Sequence, residues 1–331
     1  MQTLWSVYHK EIPVFLIPFM ETKAMQRLNH IGMNCGCEYT DFPFYHHIAG
    51  YSRYDHSVGV ALIIWHFTQD KTQTIAGLLH DIATPAFAHV VDFLNHDYLN
   101  QESTEHLTES MIADSKDFMN LLHKHQLSLE DVKDYHTYPI ADNNTPQLSA
   151  DRLEYTLGNL LNYGFSTIDE LRTYYNDIRI GYNEYGIEEL TFQTPQILAQ
   201  FSYSMLKTSK SYVSDEDRFA MQRLAELLRT ALHRQIISFE DLYRDEPYVI
   251  EKLNADMQCA EMWKCFTACR QIQKSHIKPE TGTWYQVEAK KRYINGLCSC
   301  GKRASQLFPD FNQSLQNFLQ SDFSYWIGVP K

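Results

Sequence analysis

Apolar residues recur every three to four positions along most of the 331-residue chain, and this spacing predicts a mainly helical protein. The strongest repeat covers residues 215–236, where Leu224, Leu227 and Leu228 recur at helical spacing among charged residues. A second helix is predicted from Arg53 to Phe67. Further helices are predicted over residues 21–31, 74–81, 102–113, 116–125 and 147–162, with a new helix start at Ala86 after Pro85.

Two stretches depart from helical spacing. Residues 34–51 carry Gly, Asp and Pro and are predicted to form a loop. Residues 283–294 alternate in the manner of a strand, so we expect a small sheet of two or three strands there, with the basic run 289–294 as a charged strand edge rather than an anion patch. The pattern predicts a helical core over residues 1–165 and a smaller α(+β) lobe over residues 166–331, which are free to pack as one unit.

Charge and cysteine content narrow the classes of partner. The formal net charge of −12 makes duplex nucleic acid and anionic membranes unfavourable partners, so an anionic substrate needs a local basic patch or a metal ion. No run of about 18 apolar residues is present, and no membrane span is predicted. Seven cysteines, an odd number in a chain without a recognisable secretory leader, indicate reduced thiols and a cytoplasmic location.

Three short segments carry the candidate chemistry. SRYDHSVGV places His56 on a helix, AGLLHD places His80 and Asp81 at a helix end, and ADRLEY places Asp151 at a helix start. Two imidazoles and two carboxylates form a mixed nitrogen and oxygen site that suits one divalent ion, either Mn, Fe, Ni, Zn or Mg. Such an ion lowers the pKa of its water and neutralises phosphate charge.

The ordinary alternative is that these histidines belong to the core. With 15 histidines in the chain, an isolated His-Asp pair is a weak signal. His80 lies in an apolar run, however, where an unpaired imidazole and carboxylate are costly to bury. Adjacent side chains diverge on a continuous helix and converge on one ion only if the helix ends after them. The Ala-Thr-Pro that follows Asp81 and Ile82 supplies that break, so metal binding is the prediction.

In this order the three segments resemble the HD-domain phosphohydrolase superfamily, and within it the branch of deoxynucleoside triphosphate triphosphohydrolases. The family segment R-F-E-H-S-L-G-V is similar to RYDHSVGV at residues 53–60. The segment A-G-L-x-H-D-[IL]-G-H-G-P-F-S-H is similar to AGLLHDIATPAFAH at residues 76–89, and D-x-[LW]-D-Y is similar to DRLEY at residues 151–155. The resemblance covers residues 20–165 and implies a helical HD-domain core there.

The resemblance also implies a role for each matching side chain. It assigns the metal to His56, His80, Asp81 and Asp151. It assigns the substrate phosphate to Arg53, Thr84, Arg152, Tyr155, Lys207 and Lys210. It assigns catalysis to His106, His89 and Asp81, with Glu105 as a less favoured alternative to His106.

These features together predict a metal-dependent phosphohydrolase that acts on a nucleotide, either a deoxynucleoside triphosphate or a monophosphate, through attack of metal-activated water on phosphorus. Thr84 stands where the family has a histidine, and a threonine cannot carry a proton at neutral pH. This departure leaves open a metal- and nucleotide-binding regulatory protein with weak turnover, and a non-nucleotide phosphoesterase is a further alternative. Homo-oligomers are common in this branch, so a homo-oligomer stays open as well.

Overall fold

The computed structural model describes residues 2–94 and 107–331, and its fold is mainly α, as the apolar spacing predicts. The helices are α1 (Gln2–Tyr8), α2 (Ile17–Met20), α3 (Lys23–Arg27), α4 (Arg53–Thr68), α5 (Lys71–Leu79), α6 (Val90–Leu94), α7 (Thr108–Asp114), α8 (Lys116–Lys124), α9 (Ala150–Asn162), α10 (Ile168–Asn176), α11 (Pro195–Ser211), α12 (Asp215–His233), α13 (Glu246–Ala255), α14 (Met257–Thr267), α15 (Ala304–Leu307) and α16 (Pro309–Leu319). The strands are β1 (Ile178–Tyr182), β2 (Glu188–Phe192), β3 (Gln273–Ser275), β4 (Thr283–Tyr285), β5 (Leu297–Cys298) and β6 (Trp326–Val329).

Helix α4 lies inside the larger of two hydrophobic clusters. Its residues 58 and 60–64 are at most 1% exposed, so apolar neighbours surround this helix on every side. It packs against α1, α5 and α9. Because α4, the end of α5 and α9 carry the three candidate segments, this packing brings those segments together.

The second hydrophobic cluster joins the loop before α4 to α6 and to α12, α13 and α14. It contains Phe42 and Phe87 from the first half of the chain and Leu224, Leu228 and Trp263 from the second half. Both clusters take residues from either side of position 165, and the division of the chain at that position stays a prediction.

In the part of the chain that the structure describes, two small sheets accompany the helices. The expected sheet is present as β3-β6-β4, in which β6 is antiparallel to both neighbours. The prediction of a strand edge as far as residue 294 is wrong, because β4 ends at Tyr285. Arg218 donates to the Val287 carbonyl, and Lys291 Nζ donates at 2.7 Å to a carbonyl on each of two residues, Leu319 and Ser321. These contacts hold the segment in an irregular path. The second sheet, β1-β2-β5, was not predicted.

The predicted helix start at Ala86 is also wrong. Phe87 and Ala88 have φ angles of 63° and 47°, in the left-handed region that side chains with a Cβ rarely occupy. The Ala86 N–H donates to the Leu242 carbonyl at 2.7 Å, and the Phe87 N–H donates to Glu246 Oε1 at 3.3 Å. These two hydrogen bonds hold residues 86–88 in a turn, and α6 therefore begins only at Val90.

The remaining helix predictions differ from the structure mainly at their ends. The helix predicted over residues 21–31 is shorter, because a 3₁₀ turn at Leu28–His30 follows α3. The helix predicted over residues 74–81 begins earlier, at Lys71, and ends at Leu79. Part of the helix predicted over residues 102–113 lies outside the described residues. Within residues 2–94 and 107–331, no helix has both the length and the apolar character needed to cross a bilayer.

Candidate metal centre

Helix α4 presents Arg53 and His56 from its first turn. Ser52 caps this helix: its Oγ accepts from the Asp55 N–H, and Asp55 Oδ2 accepts from the Ser52 N–H, each at 3.1 Å. His56 is 2% exposed. The capping box fixes the position at which the first turn begins, and therefore the direction in which both side chains project.

His80 and Asp81 follow the end of α5, where the predicted break occurs. His80 Nδ1–H donates to the Gly77 carbonyl at 2.7 Å, which turns Nε2 away from the helix. Asp81 accepts through both oxygens, from Thr84 Oγ1 at 2.9 Å and from Arg53 Nη1 at 2.9 Å. Thr84 therefore orients Asp81.

Three of the four predicted metal ligands, His56, His80 and Asp151, form one group whose ligand atoms all lie within 4.8 Å of one another, and Asp81 lies beside the two histidines. The Nε2 atoms of His56 and His80 are 3.2 Å apart. Asp151 Oδ1 lies 3.0 Å and 3.8 Å from those two nitrogens, and Asp81 Oδ2 lies 3.8 Å and 3.7 Å from them. Ligands at about 2.1 Å from one octahedral ion lie about 3.0 Å apart along an edge, so these separations are close to those of a metal site.

Glu154 holds the ring of His56 from the side away from the other ligands. His56 Nδ1–H donates to Glu154 Oε2 at 2.6 Å, and Tyr8 and Tyr51 also donate to this buried carboxylate. Both histidines thus place their ring proton on Nδ1. Their Nε2 lone pairs would face each other across 3.2 Å, an arrangement that needs a proton or a cation between them.

The ionisation of these side chains also indicates that a proton or a cation lies between the two histidines. Burial raises the pKa of Asp81, but Arg53 and the histidines outweigh it, so the pKa lies well below its usual range. Burial likewise opposes ionisation of Asp151, and the hydrogen bond from His56 reverses that effect and lowers its pKa. Burial lowers the pKa of His56, whereas the hydrogen bonds to Asp151 and Glu154 raise it to about 10. A divalent ion would displace that proton.

These side chains open into a pocket of about 200 Å³. Its lining comprises Met33, Asn34, Cys35, Arg53, His56, His80, Asp81, His89, Phe93, Tyr135, Asp151, Tyr155, Asn159, Tyr163, Tyr212, Asp217, Met221, Ala289, Lys290 and Arg292. Burial lowers the pKa of Arg53 but the Asp81 carboxylate overcomes this, so Arg53 stays a cation at the pocket wall.

His89 lies in the pocket in a defined hydrogen-bonded state. Its Nδ1–H donates to Asp92 Oδ2 at 2.9 Å, and its Nε2 faces Arg292 Nη2 at 3.4 Å. Burial lowers the pKa of His89 to about 4, against the effect of Asp92, so the ring is neutral near pH 7. The neutral ring orients Arg292 by accepting its N–H.

The structure separates the predicted phosphate contacts into two groups. Tyr155 and Arg53 both line the pocket. Arg152 does not line it, because its guanidinium donates to Asn143 and Ser149 and pairs with Asp142 at 3.0 Å. Thr84, Lys207 and Lys210 are also absent from the lining of the described pocket, and the two lysines are exposed on α11. His106 and Glu105 lie outside the described residues.

Sequence reasoning missed several residues that line the pocket, and one, Glu154, that supports a lining residue from behind. Lys290 and Arg292 line it, although their segment was predicted to be a strand edge. Glu154 was seen only as part of a motif, and Asp217 only as part of the strongest helix. The spacing of Glu154, three residues after Asp151 on one helix, was a signal for a partner on the same face. No comparable local signal marks Asp217.

No protein-family model matches the chain. Over 205 residues the chain is 27% identical to the uncharacterized protein YdhJ of Bacillus subtilis, covering 62% of this chain and 61% of that protein. Over 182 residues it is 24% identical to the metal-dependent phosphohydrolase cns2 of Cordyceps militaris, covering 53% of this chain and 49% of that protein. The chain thus spans about half to three fifths of the length of these curated relatives.

Two solved structures share the fold over nearly the whole chain. A hypothetical protein from Aquifex aeolicus superposes with a TM-score of 0.67 at 19% identity, covering 96% of this chain and 93% of that chain. A phosphohydrolase from Bacteroides thetaiotaomicron superposes with a TM-score of 0.64 at 14% identity, covering 97% of both chains. One of these relatives and one of these solved structures carry the name phosphohydrolase, and the HD-domain superfamily and its triphosphohydrolase branch stay predictions.

Proposed function

We propose that this protein is a metal-dependent phosphohydrolase that acts on a nucleotide. The observation that carries the proposal is the pair of Nε2 atoms of His56 and His80, 3.2 Å apart with the carboxylates of Asp81 and Asp151 beside them. The names of the Cordyceps relative and the Bacteroides structural neighbour support the same class of enzyme.

In this proposal His56, His80, Asp81 and Asp151 hold one divalent ion, either Mn, Fe, Ni, Zn or Mg. Bound there, the ion would acidify a water molecule and offset the charge of a phosphate group. Glu154 keeps the His56 ring in the tautomer that offers Nε2.

The cations of the pocket bind the phosphate oxygens. Arg53 is held by Asp81, and Lys290 and Arg292 approach from the irregular segment after β4. Planar guanidinium groups suit phosphate oxygens, and the neutral His89 ring orients Arg292 for that contact. His106 is proposed as the proton donor to the leaving oxygen on the resemblance alone.

The charge of the pocket favours a single phosphate group. Among the described lining residues the cations Arg53, Lys290 and Arg292 face the carboxyl groups of Asp81, Asp151 and Asp217, and burial raises the pKa of Asp217 to about 7, so it is partly ionised near pH 7. Residues 95–106 contain no lysine or arginine that could add positive charge. One divalent ion would then match a monoester phosphate, which carries a charge of about −1.5 to −2 near pH 7. We therefore favour a monophosphate over a triphosphate.

One observation supports a second candidate, a nucleotide-binding regulatory protein with weak turnover. Thr84 Oγ1 donates to Asp81, so the position of the family histidine carries no titratable group. The variant Thr84→His distinguishes the two functions. A rise in turnover at unchanged metal content supports the regulatory protein, and unchanged or reduced turnover supports the enzyme as it stands.

The decisive test combines metal analysis with a substrate panel. The purified protein is assayed for bound metals, stripped with a chelator and reloaded with each ion separately. Phosphate and triphosphate release are then measured from nucleoside monophosphates, deoxynucleoside triphosphates and non-nucleotide monoesters. We expect metal-dependent phosphate release from nucleoside monophosphates. Release that survives complete metal removal, or no release from any substrate with any ion, contradicts the proposal.

A further inference from the structure

The pocket extends beyond the metal ligands along one face of α9. Asp151, Tyr155 and Asn159 follow one another at four-residue spacing, Tyr163 comes directly after the helix, and all four line the pocket. With a rise of 1.5 Å per residue, Asn159 lies about 12 Å along the helix axis from Asp151. A phosphate bound at the metal ligands therefore leaves the Asn159 end for the organic part of an ester.

Two hydrogen-bond acceptors without donors among the described residues lie toward that end, one on Asn159 and one on Asp217. Burial raises the pKa of Tyr163, and the nearby Asp217 carboxylate adds to this rise. Asn159 Nδ2 donates to the Tyr212 hydroxyl at 2.9 Å, whereas its buried Oδ1 accepts no hydrogen bond from the described residues. Asp217, in the first turn of α12, accepts through Oδ1 from the Tyr45 hydroxyl at 3.4 Å and from the Cys37 thiol at 3.8 Å. Within residues 2–94 and 107–331, its Oδ2 accepts none.

Among the described residues, no lysine, arginine or histidine forms an ion pair with Asp217, and the neighbouring Arg218 acts on it only through its charge. Both of its donors are uncharged, and the adjacent Arg218 is turned toward the Val287 carbonyl and the Tyr325 hydroxyl. Burial raises the pKa of Asp217 to about 7, which shows how poorly this wall solvates the carboxylate. A partly buried carboxylate that lines a pocket, and one of whose oxygens has no donor among the described residues, is suited to accept a hydrogen bond from a ligand.

We propose that Asp217 is a specificity-determining residue, whose Oδ2 accepts a hydrogen bond from a hydroxyl or amino group on the organic part of the substrate. The inference rests on the proposed function for the position of the phosphate. It names the substrate class as a phosphate monoester whose alcohol is a ring compound, carries hydrogen-bond donors and reaches about 12 Å from the metal ligands.

Both a sugar hydroxyl and a base amino group have the chemistry that Asp217 accepts, and three substrates separate them. Adenosine monophosphate carries both kinds of donor, ribose 5-phosphate carries only hydroxyls, and p-nitrophenyl phosphate carries no donor on its leaving group. The variant Asp217→Asn removes the carboxylate at nearly constant shape. Glu216→Gln is the matched control, because it removes the neighbouring carboxylate, which does not line the pocket. Asp217→Ser replaces Asp217→Asn if the latter does not fold.

We expect Asp217→Asn to lower kcat/KM for adenosine monophosphate at least ten-fold, mainly through KM, while p-nitrophenyl phosphate changes less than two-fold. Glu216→Gln should change neither. A parallel loss with ribose 5-phosphate assigns the hydroxyl, and no loss with it assigns the amino group. Equal effects on all three substrates, or no effect on any, overturn the inference.

Binding provides a readout that does not require turnover. The dissociation constant of a non-hydrolysable methylene phosphonate analogue of adenosine monophosphate is measured by calorimetry on the metal-loaded protein. We expect Asp217→Asn to weaken binding at least ten-fold. If the wild-type protein binds the analogue through Asp217 but releases no phosphate, the proposed function fails and the inference stands. If the wild-type protein binds neither the analogue nor the substrates, the inference is overturned.

Discussion

The two walls of the pocket are built in different ways. On the metal wall, the proposed ligands lie just after the end or in the first turn of a helix, and three of the four are held by a second contact. Glu154 holds His56, the Gly77 carbonyl holds His80, and Thr84 holds Asp81. These contacts leave the ligand atoms few other orientations.

The opposite wall comes largely from the second half of the chain. Lys290 and Arg292 lie on a segment without regular structure, which is tethered by Lys291 and by the contact from Arg218 to Val287. Asp217 joins this wall from the first turn of α12. In the proposed function, metal binding would therefore depend on a preorganised cluster, whereas phosphate and substrate recognition would depend on side chains that can change without disturbing the ligands.

The largest expected effect comes from removing a ligand on the metal wall. Asp151→Ala deletes the carboxylate that lies 3.0 Å from His56 Nε2. We expect bound metal to fall to near zero and phosphate release to fall by about 1000-fold or more, because the ion supplies the main charge stabilisation. Metal analysis and a phosphate assay check this. Asp169→Ala, on the exposed start of α10, should retain both, and full metal content in Asp151→Ala would contradict the site.

The second largest expected effect is a rise in KM when a cation of the opposite wall is removed. Arg292→Gln should raise KM for a monophosphate by roughly 10- to 100-fold, because it removes a charged donor to the phosphate. Metal content should not change. Lys210→Gln serves as the matched control, since it removes a cation that the structure places outside the pocket lining. If Lys210→Gln raises KM and Arg292→Gln does not, the assignment of the phosphate contacts is reversed.

A smaller effect concerns the support of the metal wall. Glu154→Gln should weaken metal affinity by about ten-fold, since a carboxylate that orients a ligating histidine typically contributes 10- to 100-fold. Gly59→Ala should displace the same carboxylate without changing its chemistry, because a Cβ at that position would lie 2.4 Å from Glu154 Oε1. Competition with a metal-sensitive dye measures both. Unchanged affinity in the two variants would show that the second contact has no role in holding the ion.

The smallest expected effect concerns the pH dependence of stability, which we attribute to two buried glutamates, Glu38 and Glu246. Glu246 accepts from Gly32 N–H at 2.9 Å and from Phe87 N–H at 3.3 Å, and it lies near Glu38. Burial raises the pKa of Glu38 to about 8, with a further contribution from Glu246. The folded state therefore binds this proton more tightly than the unfolded chain, and stability present at acidic pH is lost as the pH rises toward 8.

Glu38→Gln should remove this dependence. We expect the variant to be more stable than the wild-type protein at pH 9 by roughly 1–2 kcal/mol, with no gain at pH 5. Denaturant unfolding at both pH values measures the free energy of unfolding. Glu280→Gln removes an exposed carboxylate and serves as the control. It should leave the difference in the free energy of unfolding between pH 5 and pH 9 the same as in the wild-type protein. A gain of equal size at pH 5 and pH 9 would contradict the proposed titration.

The helical segments and their motifs were predictable because their signals are local. The spacing of apolar residues predicted α4, α9 and α12, and the break after His80-Asp81 was predicted from the Ala-Thr-Pro sequence. The turn at Phe87 and Ala88 was not predictable in this way, since contacts from Leu242 and Glu246, far along the chain, hold two left-handed residues there. The irregular path of residues 286–294 has the same kind of cause.

The sequence by itself determined which helices form and which four side chains are candidates for one ion, because periodicity and short motifs act over one or two helical turns. Only the tertiary structure decided that Glu154 supports His56, and that Lys290, Arg292 and Asp217 line the pocket. The predicted contacts Arg152, Lys207 and Lys210 are absent from the lining of the described pocket. These relations depend on packing between segments up to about two hundred residues apart, as between His89 and Arg292, and no local pattern encodes them.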